Sequence, residues 1–249
     1  MKESDEQAVM LITGAARRVG AAIARALHEQ GAHVVLHYRQ SEDEAAALAA
    51  TLNALRAGSA SIAGGDLKDD GTPEALIDAV ITRHGRLDAL VNNASTFYPT
   101  PVGAIDAAAW LDLIGSNLKG PLFLSQAAAP HLARQRGAIV NIVDIHAERP
   151  LKNYPLYCAA KAGLAGLTRA LALELAPDVR VNGIAPGPIE WPEDRQFSPD
   201  ERMEIIAHTL LKREGCEVVT ATDGFEALAK IADQQPQIIF VDIMMPRLD

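Results

Sequence analysis

The chain has 249 residues, of which 49% are apolar and only 4% aromatic, enough for one large core packed mainly by alanine and small aliphatic side chains. A formal net charge of −9 excludes a general electrostatic attraction to nucleic acid or anionic membranes. The two cysteines, Cys158 and Cys216, form no C-x-x-C pair and imply neither a zinc site nor a disulfide framework. No apolar run reaches the ~18 residues of a spanning helix, and the polar start MKESDEQAVM lacks a signal peptide's apolar core. The expected setting is a reducing cytoplasm.

Strand-like and helix-like stretches alternate from the start. A strand is expected over 8–13, a helix over 19–30 stopped by Gly31, a strand over 33–38 and a helix over 42–56. A short strand over 59–66, a helix over 73–85 and a strand over 87–95 follow. Two helices are expected around 106–117 and 120–134, then a strand over 137–144, a long helix over 157–175 and a strand over 179–187. Continuous apolar strands alternating with helices predict a parallel sheet covered on both faces, an α/β doubly wound (Rossmann) fold. The pattern changes near residue 188. A stretch with three prolines, PIEWPEDRQFSPDERM, leads to an atypical helix–strand tail after Gly215.

The first strand runs into Thr13-Gly14-Ala15-Ala16-Arg17-Arg18-Val19-Gly20. A glycine-containing turn that opens a helix lets backbone approach a pyrophosphate, and the helix N-terminus offers N–H groups and partial positive charge. The second strand ends His37-Tyr38-Arg39-Gln40-Ser41, with no carboxylate before Glu42 to bind the ribose hydroxyls of NAD. Arg39 and Ser41 suit a 2′-phosphate instead, with Arg17 as a further helper, so the expected cofactor is NADPH. Tyr157 and Lys161 lie four residues apart and share a helix face. A cation near a phenol favours the phenolate, and a phenol so tuned can exchange a proton while hydride moves.

These motifs, in this order, resemble the short-chain dehydrogenases/reductases, and of these the pteridine reductases, over residues ~8–215. The family usually has glycine at the place of Arg18, whereas pteridine reductases tend to carry arginine there. That guanidinium has two uses, on cofactor phosphate or on an anionic part of the substrate pocket. The resemblance makes Asp144, Tyr157, Lys161 and Asn117 catalytic. It places Gly14, Arg17, Arg18, Val19, Gly20, His37, Tyr38, Arg39, Ser41, Asp66, Leu67, Asn93, Ala94, Tyr157, Lys161, Pro186, Gly187 and Ile189 around the cofactor. Asp66-Leu67 matches the family's adenine contact, Asn92-Asn93-Ala94 the stretch supporting sheet and cofactor, and 186–189 the loop under the nicotinamide.

Two departures from the commoner pattern carry the substrate reading. Most of the family has serine thirteen residues before the tyrosine, as donor to a carbonyl; here Asp144 stands there. An ionised carboxylate only accepts hydrogen bonds, which suits a ring bearing N–H groups. The usual Asn-Asn-Ala-Gly becomes Asn93-Ala94-Ser95-Thr96-Phe97. The matching serine and phenylalanine of pteridine reductases bond and stack the pterin, so Arg18, Ser95, Phe97, Asp144 and Tyr157 are the expected substrate residues. The implied reaction reduces a dihydropterin, or a folate with the same ring, to the tetrahydro form. Trp191 is either part of a flap over the substrate or a packed indole, and His146 reads as a loop histidine.

Beyond HTLLKREG (208–215) the chain leaves the reductase pattern, and residues 216–249 resemble a fragment of a response-regulator receiver, with Asp242 at its phospho-acceptor place. A fragment of this length lacks the receiver's other acidic residues and lysine, so phosphorylation is not expected. Two domains follow from this reading, 1–215 and 216–249, with a homo-oligomer weakened by the altered C-terminus. The competing readings are a carbonyl reductase of the same family, a receiver-like signalling protein, and an inactive fusion that binds NADPH without turnover.

Overall fold

In the computed structural model, residues 7–186, 198–199 and 202–203 are described. The chain divides into two units, residues 1–185 and 186–249. The expected boundary at 215/216 and the whole tail lie outside the described residues. Of the second unit, one backbone bond is seen, from Arg202 N–H to the Ser198 carbonyl at 3.0 Å.

In the first unit, strands β1 (Val9–Ile12), β2 (His33–Tyr38), β3 (Ala60–Gly64), β4 (Ala89–Asn92), β5 (Ala138–Ile142) and β6 (Arg180–Ile184) form one sheet in the order β3-β2-β1-β4-β5-β6. All five pairings are parallel. The helices are α1 (Arg18–Glu29), α2 (Glu42–Leu55), α3 (Thr72–His84), α4 (Ala107–Ile114), α5 (Gly120–Gln135) and α6 (Pro155–Leu175). The expected doubly wound sheet is therefore present. Alternation along the strands sorts the core into two layers. Leu11, Val35, Leu90 and Ile139 meet α3 and α5 through Leu76, Ile77, Val80, Leu124 and Leu132. Ile12, Val34, Leu36 and Val91 meet α1 and α2 through Ala24, Leu48 and Leu52. Among the described residues no helix is long and apolar enough to cross a membrane.

The two helices expected around 106–117 and 120–134 are joined without a loop. A π-helical turn, Gly115–Lys119, links α4 to α5. Pro121 has no N–H for the carbonyl four residues back, and the Gly120 N–H before it bonds the Gly115 carbonyl five residues back, so the chain stays helical through a widened turn. Two glycines flank this turn for packing reasons. A Cβ on Gly115 would meet the Lys68 side chain at 2.9 Å, and one on Gly120 would meet the Leu67 Cβ at 3.1 Å. The segment after β3 thus crosses the outside of the π turn in close contact.

Strand order reverses between β1 and β4, so a crevice opens beyond their C-terminal ends. The opposite edge carries a histidine cluster. His33 Nδ1 donates to the Gly58 carbonyl (3.0 Å), His33 Nε2 lies 3.1 Å from Ser61 Oγ, and His84 Nε2 lies 3.3 Å from the same hydroxyl. The two rings are 4.2 Å apart. Burial, then the neighbouring His84, pushes His33 down to about 4, and burial lowers His28 and His84 as well. The unfolded chain takes up these protons near pH 6.5. Stability is thus fully present above pH 6.5 and is lost as pH falls through the folded value near 4, by about 1–3 kcal/mol for His33 alone. Melting curves should show a decline in Tm from pH 6.5 to 5 that is shallower in His33→Asn; equal slopes would contradict this role.

Candidate active site

The turn after β1 is built by Thr13. Its Oγ1 accepts the N–H groups of Asn93 and Ala94, each at 2.9 Å, and donates to the Val91 carbonyl at 3.3 Å, so the ends of β1 and β4 are locked together. Asn93 Nδ2 donates back to the carbonyls of Thr13 (2.8 Å) and Gly14 (3.2 Å). Gly14 has φ +61°, and a Cβ there would press on the Ala94 Cα at 3.0 Å. On Gly20 a Cβ would lie 2.2 Å from the Gly14 carbonyl oxygen. The two glycines therefore let α1 start against its own turn, the cradle a pyrophosphate requires.

Arg17 caps α1 in extended conformation with no side-chain cap bond, so no side chain of the cap covers the helix N-terminus. Its guanidinium pairs with Glu44 at 3.5 Å on the surface. Arg18 opens α1 at φ +51°, in the left-handed region that a glycine would adopt without cost. Val19 follows, half-buried, in the first turn.

His37 is buried, and its Nδ1 accepts the Gly14 N–H at 3.3 Å while Nε2 donates to the Gly65 carbonyl at 3.0 Å. Burial lowers it to about 4, so the ring is a neutral strut between the turn and β3. The Tyr38 ring lies over Gly64, where a Cβ would meet it at 2.9 Å. Ser41 is the N-cap residue of α2 without a side-chain cap bond. Arg39 reaches two carboxylates, Asp112 at 3.8 Å and Asp66 at 4.0 Å. Asp66 also accepts the Lys68 N–H at 3.1 Å, and Leu67 is buried against Gly120. Glycine cradle, uncapped helix start and an arginine after β2 together fit a dinucleotide.

The catalytic candidates come together at the ends of β5 and α6. The Tyr157 hydroxyl donates to Asp144 Oδ2 at 2.6 Å, and Asp144 Oδ1 accepts the His146 N–H at 2.9 Å. Each carboxylate oxygen thus holds one donor and keeps a second acceptor site, and the side chain is fixed at the start of a short 3₁₀ turn, Ile145–Ala147. The His146 ring itself bonds the Arg149 carbonyl at 2.9 Å and closes the loop. Lys161 is buried, donates to the Ile142 carbonyl at 2.8 Å, and lies 5.7 Å from the Tyr157 ring centroid. Burial lowers Lys161 to about 8 against the opposing pull of Asp144. Tyr157 departs from the expectation that Lys161 favours its anion. Burial, then the Asp144 charge, pushes the phenol far above its ordinary range, and Ser95 offsets this only in part. The phenol is held in its protonated form, with its hydrogen directed at Asp144.

Asn117 sits inside the π turn rather than capping a helix. Its Nδ2 donates to the carbonyls of Thr96 (2.9 Å) and Leu113 (3.0 Å), and its Oδ1 accepts Ser95 Oγ at 2.6 Å. Asn117 therefore holds the segment that presents Ser95 and Phe97. Phe97 stands edge-on to Tyr157 at 4.7 Å and is stacked on Tyr154 at 4.6 Å with a 12° tilt. Tyr154 was not among the expected site residues. Its sequence signal is modest, an aromatic three residues before Tyr157 and just before Pro155, which starts the helix. Pro186 ends the long described stretch, and Gly187, Ile189 and Trp191 lie outside the described residues.

Compared with known proteins, residues 8–202 match the family described as short chain dehydrogenase. The chain is similar to pteridine reductase 1 of Leishmania tarentolae, with 42% identity over 240 residues, covering 81% of this chain and 83% of that one. It is also similar to the 3-oxoacyl-(acyl-carrier-protein) reductase of Staphylococcus epidermidis, 35% identical over 231 residues and covering 92% of this chain and 93% of that one. The same enzyme of Staphylococcus aureus is 32% identical over 231 residues, covering 92% of each chain. These matches give no support to the receiver resemblance of residues 216–249. With the Tyr157–Lys161 helix, the glycine cradle and the parallel sheet in place, the chain belongs to the short-chain dehydrogenase family and is an oxidoreductase of the nicotinamide-dinucleotide type.

Proposed function

We propose that the protein reduces dihydropterins, or a folate with the same ring, using NADPH. The observation that carries this reading is the 2.6 Å bond from Tyr157 to a carboxylate, Asp144, in a site walled by Phe97. A carbonyl substrate needs donors near its oxygen, whereas this pair offers a donor beside an acceptor, complementary to a heterocycle with adjacent ring nitrogen and N–H. The similarity to a pteridine reductase agrees with it. The similarity to 3-oxoacyl reductases keeps a carbonyl substrate as the second reading.

NADPH, when bound, supplies the hydride. Gly14, Gly20 and the start of α1 would hold its pyrophosphate, Asp66 and Leu67 its adenine, and Arg39 and Ser41 its 2′-phosphate. Phe97, backed by Tyr154, offers a flat wall for the pterin, and Asn117 keeps Ser95 within reach of it. Asp144 accepts N–H groups of the ring. The Tyr157 hydroxyl carries the proton bound for the ring nitrogen, directly, through Asp144 or through water. Lys161 places a buried positive charge behind the phenol. A homo-oligomer in the cytoplasm remains the expected state of the enzyme.

Arg18 retains a left-handed backbone that costs a non-glycine residue about 1 kcal/mol. Such strain persists where the side chain is needed, here for phosphate or the pterin pocket. Arg18→Gly should leave the unfolding free energy within about 1 kcal/mol of the parent or raise it, yet weaken cofactor or pterin binding about tenfold. Urea unfolding beside binding titrations checks this, and loss of stability with unchanged binding would contradict it.

The reading is tested by product analysis. Incubation with NADPH and dihydrobiopterin should give one tetrahydrobiopterin per NADPH consumed; NADPH consumption only with a 3-oxoacyl thioester would replace it with the second reading.

A further inference from the structure

Asp112 belongs to neither the catalytic group nor the glycine cradle, yet three side chains converge on it, Lys68, Arg39 and Tyr98. Its Oδ1 accepts Lys68 Nζ at 2.6 Å and lies 3.8 Å from Arg39 Nη1. The Tyr98 hydroxyl is a further neighbour of its carboxylate. Asp66 completes the group, 3.5 Å from Lys68 and 4.0 Å from Arg39. The position of Lys68 is enforced by packing, because its stem crosses Gly115, where any Cβ would press on it at 2.9 Å. The contacts are partly buried: the side chains of Asp66, Lys68 and Asp112 are 26–29% exposed and that of Arg39 is 39% exposed. Burial works against the Asp112 anion, but Lys68, Tyr98 and Arg39 hold its carboxyl below the usual range.

The charges in this cluster sum to zero, with Arg39 and Lys68 set against Asp66 and Asp112. Both ion pairs of Arg39 are long, so its guanidinium is shared between two carboxylates and not locked to either. An incoming dianion must draw the guanidinium away from both. A dinucleotide without the extra phosphate makes no such demand.

We propose that Asp112 is a specificity-determining counter-ion, which tempers the hold of Arg39 and Lys68 on the 2′-phosphate of the cofactor. This rests on the NADPH reading above. Asp112 acts through the two cations and is a positioning residue. Its carboxylate keeps them in place while limiting the net positive charge that the phosphate meets, so the phosphate-bearing dinucleotide binds and leaves without being trapped.

The test is titration of the full chain with NADPH and NADH by cofactor fluorescence, at low and high salt. Asp112→Asn keeps the shape of the side chain and removes the charge. It should lower the NADPH Kd about three- to fivefold and leave the NADH Kd unchanged, with the gain shrinking towards nothing near 1 M salt. Lys68→Met should do the opposite, raising the NADPH Kd by a similar factor. An unchanged or raised NADPH Kd in Asp112→Asn, parallel changes for both cofactors, or a salt-independent effect overturns the proposal. Should Asp112→Asn fail to fold, the Lys68→Met titration decides alone. A parent protein that prefers NADH would instead show that the NADPH reading had failed.

Discussion

Tyr157→Phe is expected to lower kcat for pterin reduction by about 10³-fold, within the range for loss of a general acid, while NADPH affinity changes less than twofold. The substitution removes one hydroxyl. The ring keeps its edge contact with Phe97 and its place in the cluster with Leu113, Leu156 and Cys158. What is lost is the proton that the buried phenol holds against Asp144 at 2.6 Å. Single-turnover kinetics beside a cofactor titration separates the two effects. A variant that keeps a tenth of the parent rate would show that Asp144 or water delivers the proton without Tyr157.

Asp144→Ser restores the residue that most of the family has at this place, and it should redirect the enzyme. Loss of the carboxylate removes the acceptor for ring N–H groups, and a charged hydrogen bond of this kind is worth about 1.5–3 kcal/mol, so kcat/KM for a dihydropterin should fall about 10- to 100-fold. The serine hydroxyl supplies a donor, and activity towards a 3-oxoacyl thioester should rise. The pH profile should move as well. An acid donor loses activity as pH rises through its pKa. The Asp144 charge raises both Tyr157 and Lys161, the latter held near 8, so its removal lowers both groups. The alkaline limb of the kcat profile should therefore shift to lower pH in Asp144→Ser. A limb that stays in place would mean that the carboxylate does not act on this pair.

Much of this architecture was legible in the order of residues. Apolar runs such as AVMLIT and HVVLHY mark strands buried on both faces, and the i, i+4 spacing of Tyr157 and Lys161 follows from helical period alone. Other features depend on contacts between distant segments and left little local trace. The need for glycine at positions 115 and 120 is invisible until Lys68 and Leu67 are seen to cross them. The charge balance around Arg39 requires Asp66 and Asp112 from two other segments, and the neutral strut role of His37 requires Gly14 and Gly65 on either side. The state of Tyr157 likewise depends on a distant segment. Spacing shows the lysine on its own helix, whereas the carboxylate that dominates the phenol arrives from the end of β5.

The most direct test is the ratio of kcat/KM for a dihydropterin to that for a 3-oxoacyl thioester, both measured with NADPH. An acceptor carboxylate beside the phenol predicts a ratio of about 100 or more in favour of the pterin, since a site built around paired hydrogen bonds rejects a ligand that cannot make them. A ratio below one would contradict it and assign the site to carbonyl reduction.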